Sequence, residues 1–232
     1  AQEIKDRVGE GNALGSLGIA YYSMGDYPKA IEHHKRYLKI AQEIKDRLGE
    51  GNALNNLGYT YYKTGNLRNA ESTLFDSMKV KESLRGGLKD NNKITFFDTQ
   101  RNTYNILQQV LIAQNKTDAA LLIAERGRAR AFVELIASKL SSNNKQLSTP
   151  PNLDQIKQIA DAQNATLVQY SIIYDDFKVE DKSESKESQL YIWVIKPTGE
   201  VTFSTSDLKP LWQKYNTTLS QLVSTTRESL GV

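Results

Sequence analysis

Cysteine is absent from all 232 residues. That excludes disulfides, thiolate metal sites and a cysteine nucleophile within this chain, and it fits a reducing compartment. Histidine occurs only at the adjacent positions His33 and His34; neighbours on a helix point about 100° apart, so the pair is a poor start for a metal site. No run approaches the roughly 18 uninterrupted apolar residues that a membrane-spanning helix needs, and AQEIKDRVGE at the start lacks the basic and apolar regions of a signal peptide. A dominant charge is missing too. With 30 basic and 27 acidic side chains the net charge is +3, so no strong field selects nucleic acid or an anionic membrane as partner. Nothing calls for a cofactor or a metal. What remains is an ordinary globular balance, 39% hydrophobic and 25% charged, expected to be soluble and cytoplasmic.

What the chain does have is repetition. GNALGSLGIAYYSMGD, from Gly11 to Asp26, returns as GNALNNLGYTYYKTGN, from Gly51 to Asn66, and residues 1–30 match residues 41–70 at 19 of 30 positions with a period of 40. Repetition at this length signals a solenoid whose units bury their apolar faces on one another. Leu14, Leu17 and Tyr21, like Leu54, Leu57 and Tyr61, recur at helical spacing. Glycine inside a helix costs about 1 kcal/mol against alanine, so Gly18 and Gly58 predict a second helix pressing close, with Ala30 and Ala70 as the expected small partners. Gly25 and Gly65 mark the turns. A third, degenerate copy is laid down at an offset of 50, placing Leu107 over Leu57, Asn115 over Gly65 and Ala120 over Ala70, with Gly86 and Gly87 breaking the extra length. Because AQEIKDR at 1–7 recurs at 41–47, where it ends a helix, the chain is expected to begin in mid-repeat, as part of something longer.

The pattern L-G-x-x-Y, then Gly, then Ala resembles the tetratricopeptide repeat, with a unit of 40 residues rather than the usual roughly 34. The expected fold is mainly α, an α-solenoid of helical hairpins over residues 1–140. SSNNKQLSTPPN, residues 141–152, has a linker's composition. Residues 153–232 then read as a small α/β segment: a short helix on Leu153, Ile156 and Ile159, strands in ATLVQYSIIY and LYIWVI, and a hairpin through KPTG into EVTFSTS. LYIWVI, apolar on both faces, is expected to be a central, covered strand. The charged stretch from Asp175 to Gln189 is expected to be a mobile surface loop, and Leu211, Trp212, Tyr215, Leu219, Leu222 and Val223 to lie on one final amphipathic helix.

AERGRARAFVELIA at 124–137, then a short helix, NATLVQYSI and LYIWVIKPTGEV, is similar to the junction between repeat array and protease-like domain in the bacterial CHAT family, caspase-like domains fused to tetratricopeptide arrays. The resemblance implies that residues 153–232 are the N-terminal portion of a CHAT-like domain. The family's histidine and cysteine dyad carries over onto nothing here, since no histidine follows His34.

Other constellations carry less. Arg126, Arg128 and Arg130 suit a solvated or salt-bridged face better than an anion site. Lys79, Lys81, Arg85, Lys89 and Lys93 form a basic stretch that would bind nucleic acid only with steep salt dependence. The asparagines are more informative. Asn12, Asn52 and Asn102 occupy one position in all three copies, and Asn55 and Asn105 a second. Tetratricopeptide arrays present these first-helix positions on their concave surface, so the resemblance implies a groove lined by these five asparagines with Tyr22, Tyr59 and Tyr62. An amide donates to a carbonyl and accepts from an N–H, which suits an extended peptide or partner protein. The competing reading of the Asn12 series is helix capping. The chain thus reads as a binding module and not an enzyme; the alternative is a fragment of a caspase-like cysteine peptidase whose dyad lies outside it.

Overall fold

Turns with a left-handed residue organise the first part of the chain. In the computed structural model, which describes residues 2–85, 90–128, 151–179 and 182–230, six helices stand in order there: α1 (Gln2–Ser23), α2 (Tyr27–Glu43), α3 (Arg47–Lys63), α4 (Leu67–Arg85), α5 (Asp90–Ala113) and α6 (Thr117–Arg128). The chain divides into two compact units, residues 1–150 and 151–232. Residues 141–150 of the expected linker, and Gly86 and Gly87, lie outside the described residues. Gly25 (φ 79°) and Gly65 (φ 75°) close α1 and α3, and Asn115 (φ 58°) closes α5 at the position aligned with them. Each turn is tied the same way: the N–H after the left-handed residue donates to a carbonyl five residues back, Asp26 to Tyr21, Asn66 to Tyr61 and Lys116 to Leu111, all at 2.9 Å. Glycine enters this region without cost and asparagine tolerates it.

Within each hairpin the helices approach closely, and larger side chains than Ala30 and Ala70 stand nearest the glycines. Both alanines are fully buried, but a Cβ on Gly18 would overlap the His34 ring, and one on Gly58 would lie 2.6 Å from Leu74 Cγ. The contact falls one helical turn beyond the expected one, because a bulky side chain fills the notch that the glycine leaves. His34 and Leu74 are equivalent positions, 40 residues apart. Between hairpins, Leu14, Tyr37, Ile40, Ala41 and Ala53 form a buried cluster flanked by Leu38 and Ile44, so α2 packs on α1 behind it and on α3 ahead. Burying a leucine or isoleucine this way contributes about 2 kcal/mol.

The second unit opens with α7 (Leu153–Ala162), started by a capping box in which Asn152 and Gln155 exchange side-chain and backbone bonds of 2.9 Å. Ile156 and Ala160 are its buried residues, while Ile159 is exposed. Three antiparallel strands follow, β1 (Leu167–Val179), β2 (Lys182–Ile195) and β3 (Val201–Asp207), in the order β1-β2-β3. LYIWVI is thus central. Its Tyr191, Trp193 and Ile195 are buried, while Leu190, Ile192 and Val194 on the other face are half-buried. The KPTG turn joins Ile195 to its partner Val201, with Gly199 at φ 80°.

Two expectations for this unit are corrected. Residues Asp175–Gln189 do not form a surface loop: Asp175 pairs with Lys186, Asp176 with Ser185 and Phe177 with Glu184 along extended β1 and β2, with a register shift between Ile173 and Tyr174. Opposite charges across the ladder favour the pairing, and Phe177 packs against Trp212 with ring centroids 4.9 Å apart and planes tilted by 55°. The final helix is also two helices, α8 (Lys209–Lys214) and α9 (Leu219–Leu230). Asn216 turns the chain at φ 49°, and Thr218 with Gln221 makes a second capping box, Gln221 N–H to Thr218 Oγ1 at 3.1 Å and Thr218 N–H to Gln221 Oε1 at 2.9 Å. Tyr215 is left exposed.

Candidate functional site

Asn12, Asn52 and Asn102 are all exposed, on α1, α3 and α5. None stands at a helix start. The capping role belongs elsewhere: Asp26 accepts from Lys29 N–H at 3.2 Å, Asp46 from Gly49 N–H at 2.9 Å and Asn66 from Asn69 N–H at 3.3 Å. The three asparagines therefore share one face of successive first helices without a local backbone duty of that kind.

The second asparagine position behaves differently. Asn105 is half-buried, and Asn55 is only 9% exposed, with its Oδ1 accepting from Thr103 Oγ1 at 2.7 Å. Lys81 Nζ in turn donates to Thr103 Oγ1 at 3.1 Å. Asn55 thus belongs to a buried network joining α3, α4 and α5, and departs from the expected exposed ladder. Burial lowers the Lys81 ammonium pKa to about 8, because the charged form loses its hydration. This also breaks up the expected basic stretch: Lys79 is exposed and pairs with Asp76 at 3.4 Å, while Lys81 is interior. The side chains of Arg85, Lys89 and Lys93 lie outside the described residues.

The tyrosines are half-buried and tie neighbouring repeats. Tyr22 meets Tyr59 with ring centroids 5.2 Å apart, and Tyr62 OH donates to Gln109 Oε1 at 3.2 Å. Lys63 Nζ sits above both Tyr59, at 5.1 Å, and Tyr62, at 5.8 Å. Along α3 an exposed amide at Asn52 thus stands toward the start of the helix, with aromatic rings and a cation toward its end.

The remaining candidates are structural. His33 stacks on Tyr21 with centroids 5.1 Å apart and planes 7° from parallel. His34 is 1% exposed, its Nδ1 has no hydrogen-bond partner among the described residues, and desolvation first, then the neighbouring His33, lowers its pKa to about 4. Arg126 Nε donates to Glu82 Oε1 at 2.7 Å, and Tyr104 OH donates to the same oxygen at 2.8 Å, so this arginine joins α6 to α4. In the second unit a cleft of about 290 Å3 includes Lys186, Glu187, Trp212 and Gln221. Glu187 is buried beside it and accepts from the N–H groups of Leu219, at 2.6 Å, and Ser220, at 3.4 Å, and from Ser220 Oγ at 3.0 Å. It is spent on the start of α9.

Thr103, Gln109 and Glu187 escaped the sequence reading, and Lys81 entered it as one of a basic stretch and not as the interior residue it is. Only Lys81 carried a signal, since the repeat alignment sets it over Ala41, a core position.

Residues 2–83 match the tetratricopeptide repeat family, and the paired helices above agree with a tetratricopeptide array over those residues. Two curated relatives are Tetratricopeptide repeat protein 28 of Mus musculus, 29% identical over 183 residues, and the protein of the same name of Homo sapiens, 27% identical over 183 residues. Each alignment covers 70% of this chain and only 7% of the relative.

Proposed function

We propose that the first unit is a protein-interaction module holding an extended peptide, or an extended segment of a partner protein, on the face of α1, α3 and α5. The observation that carries this reading is the exposed asparagine at one repeat-equivalent position of three successive helices. Amides repeated along a solenoid pair with a backbone and make few demands on side chains. Tyr22, Tyr59, Tyr62 and Lys63 flank the row, and Asn105 extends it; Asn55 supports the face from within. Binding, not catalysis, is the activity assigned to this chain. The order of elements in the second unit, α7 then β1, β2 and β3, is the order on which the resemblance to the N-terminal portion of a CHAT-like domain rests, and with it the chain is the regulatory part of a CHAT-type protein.

The test is fluorescence anisotropy against an extended-peptide library, followed by Asn52→Ala and the triple Asn12, Asn52 and Asn102 to alanine change in the best binder's assay. A tenfold or greater loss of affinity with an unaltered melting temperature is expected. Equal affinity for the triple variant, or no library member that binds, sinks the proposal.

A further inference from the structure

The stretches that carry the asparagines and tyrosines are almost without charge. From Gly11 to Ser23 on α1, from Gly51 to Lys63 on α3 and from Asn102 to Ala113 on α5, the one charged residue is Lys63. The repeat alignment sets it over Ser23 in the first copy and over Ala113 in the third, so the helical scaffold does not call for a lysine there. Its side chain is exposed but held in place: Nζ stands 5.1 Å from the centroid of the Tyr59 ring and 5.8 Å from that of Tyr62. Both rings are tied in turn, Tyr59 against Tyr22 of α1 and Tyr62 through its hydroxyl to Gln109 of α5.

Two other lysines of the array show what Lys63 lacks. Lys29 stands over the Tyr21 ring at 5.1 Å in the same manner, and Asp26 takes its ammonium at 2.9 Å; Lys116 is taken by Glu71 at 2.6 Å. Lys63 meets its two rings and, among the described residues, no carboxylate. Rings on one side leave ammonium N–H groups on the other for an acceptor. A lysine gives up rotamer freedom when a partner fixes it, and here the rings have already restricted the side chain, so a partner that binds it loses less. An anionic acceptor gains most where no other acid competes for the cation. Lysine side chains on a helix lean toward its start, which brings Nζ level with Tyr59, seven positions after Asn52. That is about 10 Å along the helix axis, a span that about three residues of extended chain cover.

We infer that the segment held on this face is acidic at one place: the side-chain carboxylate of an aspartate or glutamate, about three residues from the residue that Asn52 holds, pairs with Lys63 on its tyrosine platform. The inference rests on the reading of the asparagine row as a peptide site and adds what that row cannot supply. Amides accept any backbone, whereas a single cation on a neutral face selects by charge.

The test uses the full chain and labelled peptides of alanine, serine and threonine, amidated at the C-terminus, in which one glutamate is walked through the sequence; matched series carry glutamine or lysine at the same place. Fluorescence anisotropy is expected to show the best glutamate peptide bound about fivefold more tightly than its glutamine counterpart, the upper end for an exposed ion pair, and the ratio is expected to shrink as salt is raised. Lys63→Arg is expected to keep the ratio, Lys63→Met to bring it to one, and Lys63→Glu to turn the preference toward the lysine series. The triple change of Asn12, Asn52 and Asn102 to alanine is expected to weaken glutamate and glutamine peptides alike, which separates the row from the charge it carries. Peptides that bind with no preference for glutamate, or a preference that survives Lys63→Met, overturn this inference and leave the asparagine row standing; no binding by any peptide removes both. A preference that appears only when the C-terminus is left free makes the chain end the occupant and overturns it as well.

Discussion

His34 fills the notch at Gly18 in the first repeat, and Leu74 fills the one at Gly58 in the second. A leucine there is indifferent to pH; a histidine is not. Its folded pKa of about 4 lies below the ordinary 6.5, so between these values the unfolded chain binds the proton and the folded one does not. Stability from this residue is fully present above pH 6.5 and is lost as the pH falls toward 4, by up to about 3 kcal/mol. His34→Leu is expected to flatten the urea midpoint across that window, and an unchanged slope between pH 6.5 and 4 would count against it. The two asparagine positions separate on the same scale. Asn55→Ala leaves Thr103 without its acceptor and is expected to cost about 1–3 kcal/mol, while Asn52→Ala, exposed and far from a helix start, is expected to stay within about 0.5 kcal/mol. Chemical denaturation of the two variants checks both.

At the level of elements, the hairpins of the array were legible because each depends on letters with few alternatives: glycine where helices touch, glycine or asparagine where the chain turns left-handed. Gly58→Ala is expected to cost about 1–3 kcal/mol, since the Leu74 side chain must be displaced, and melting curves of the variant will measure it. The β1–β2 ladder was hidden for a physical reason. Asp175, Lys186 and Glu184 look like solvated loop letters, yet they pair across a ladder whose far end is anchored by Phe177 on Trp212. Glu187 gave no local signal because its partners, Leu219 and Ser220, lie more than thirty residues away. The corner at Asn216 was within reach, through the Thr218-x-x-Gln221 capping pattern. Glu187→Ala removes the carboxylate that accepts from the first N–H groups of α9 and is expected to lower the tryptophan-monitored midpoint by about 1–2 kcal/mol; Glu187→Gln, which keeps the side chain's shape and one acceptor oxygen, is expected to lose less. The asparagine row was legible as a pattern, but only helix boundaries could distinguish a displayed residue from a cap.

Across the molecule, an array stabilised by neighbour contacts is weakest where a neighbour is missing. Hydrogen exchange is expected to be faster along α1 than along α3, because the Leu17 side of α1 meets no preceding hairpin among the described residues while Leu57 is enclosed. Equal protection of the two helices would contradict this. The cross-ties are also unevenly placed. Tyr22 against Tyr59 and Tyr62 to Gln109 join the first helices near their C-terminal ends, whereas Asn12 and Asn52 lie ten residues earlier, about 15 Å away along the helix axis. In mechanical terms the first helices are ribs of a fan, riveted at the tyrosines and riveted again between α3 and α5 where Asn55 meets Thr103. Bending is therefore expected to move Asn12 against Asn52 more than Asn52 against Asn102, since the buried bond between Asn55 and Thr103 holds the second pair at its spacing.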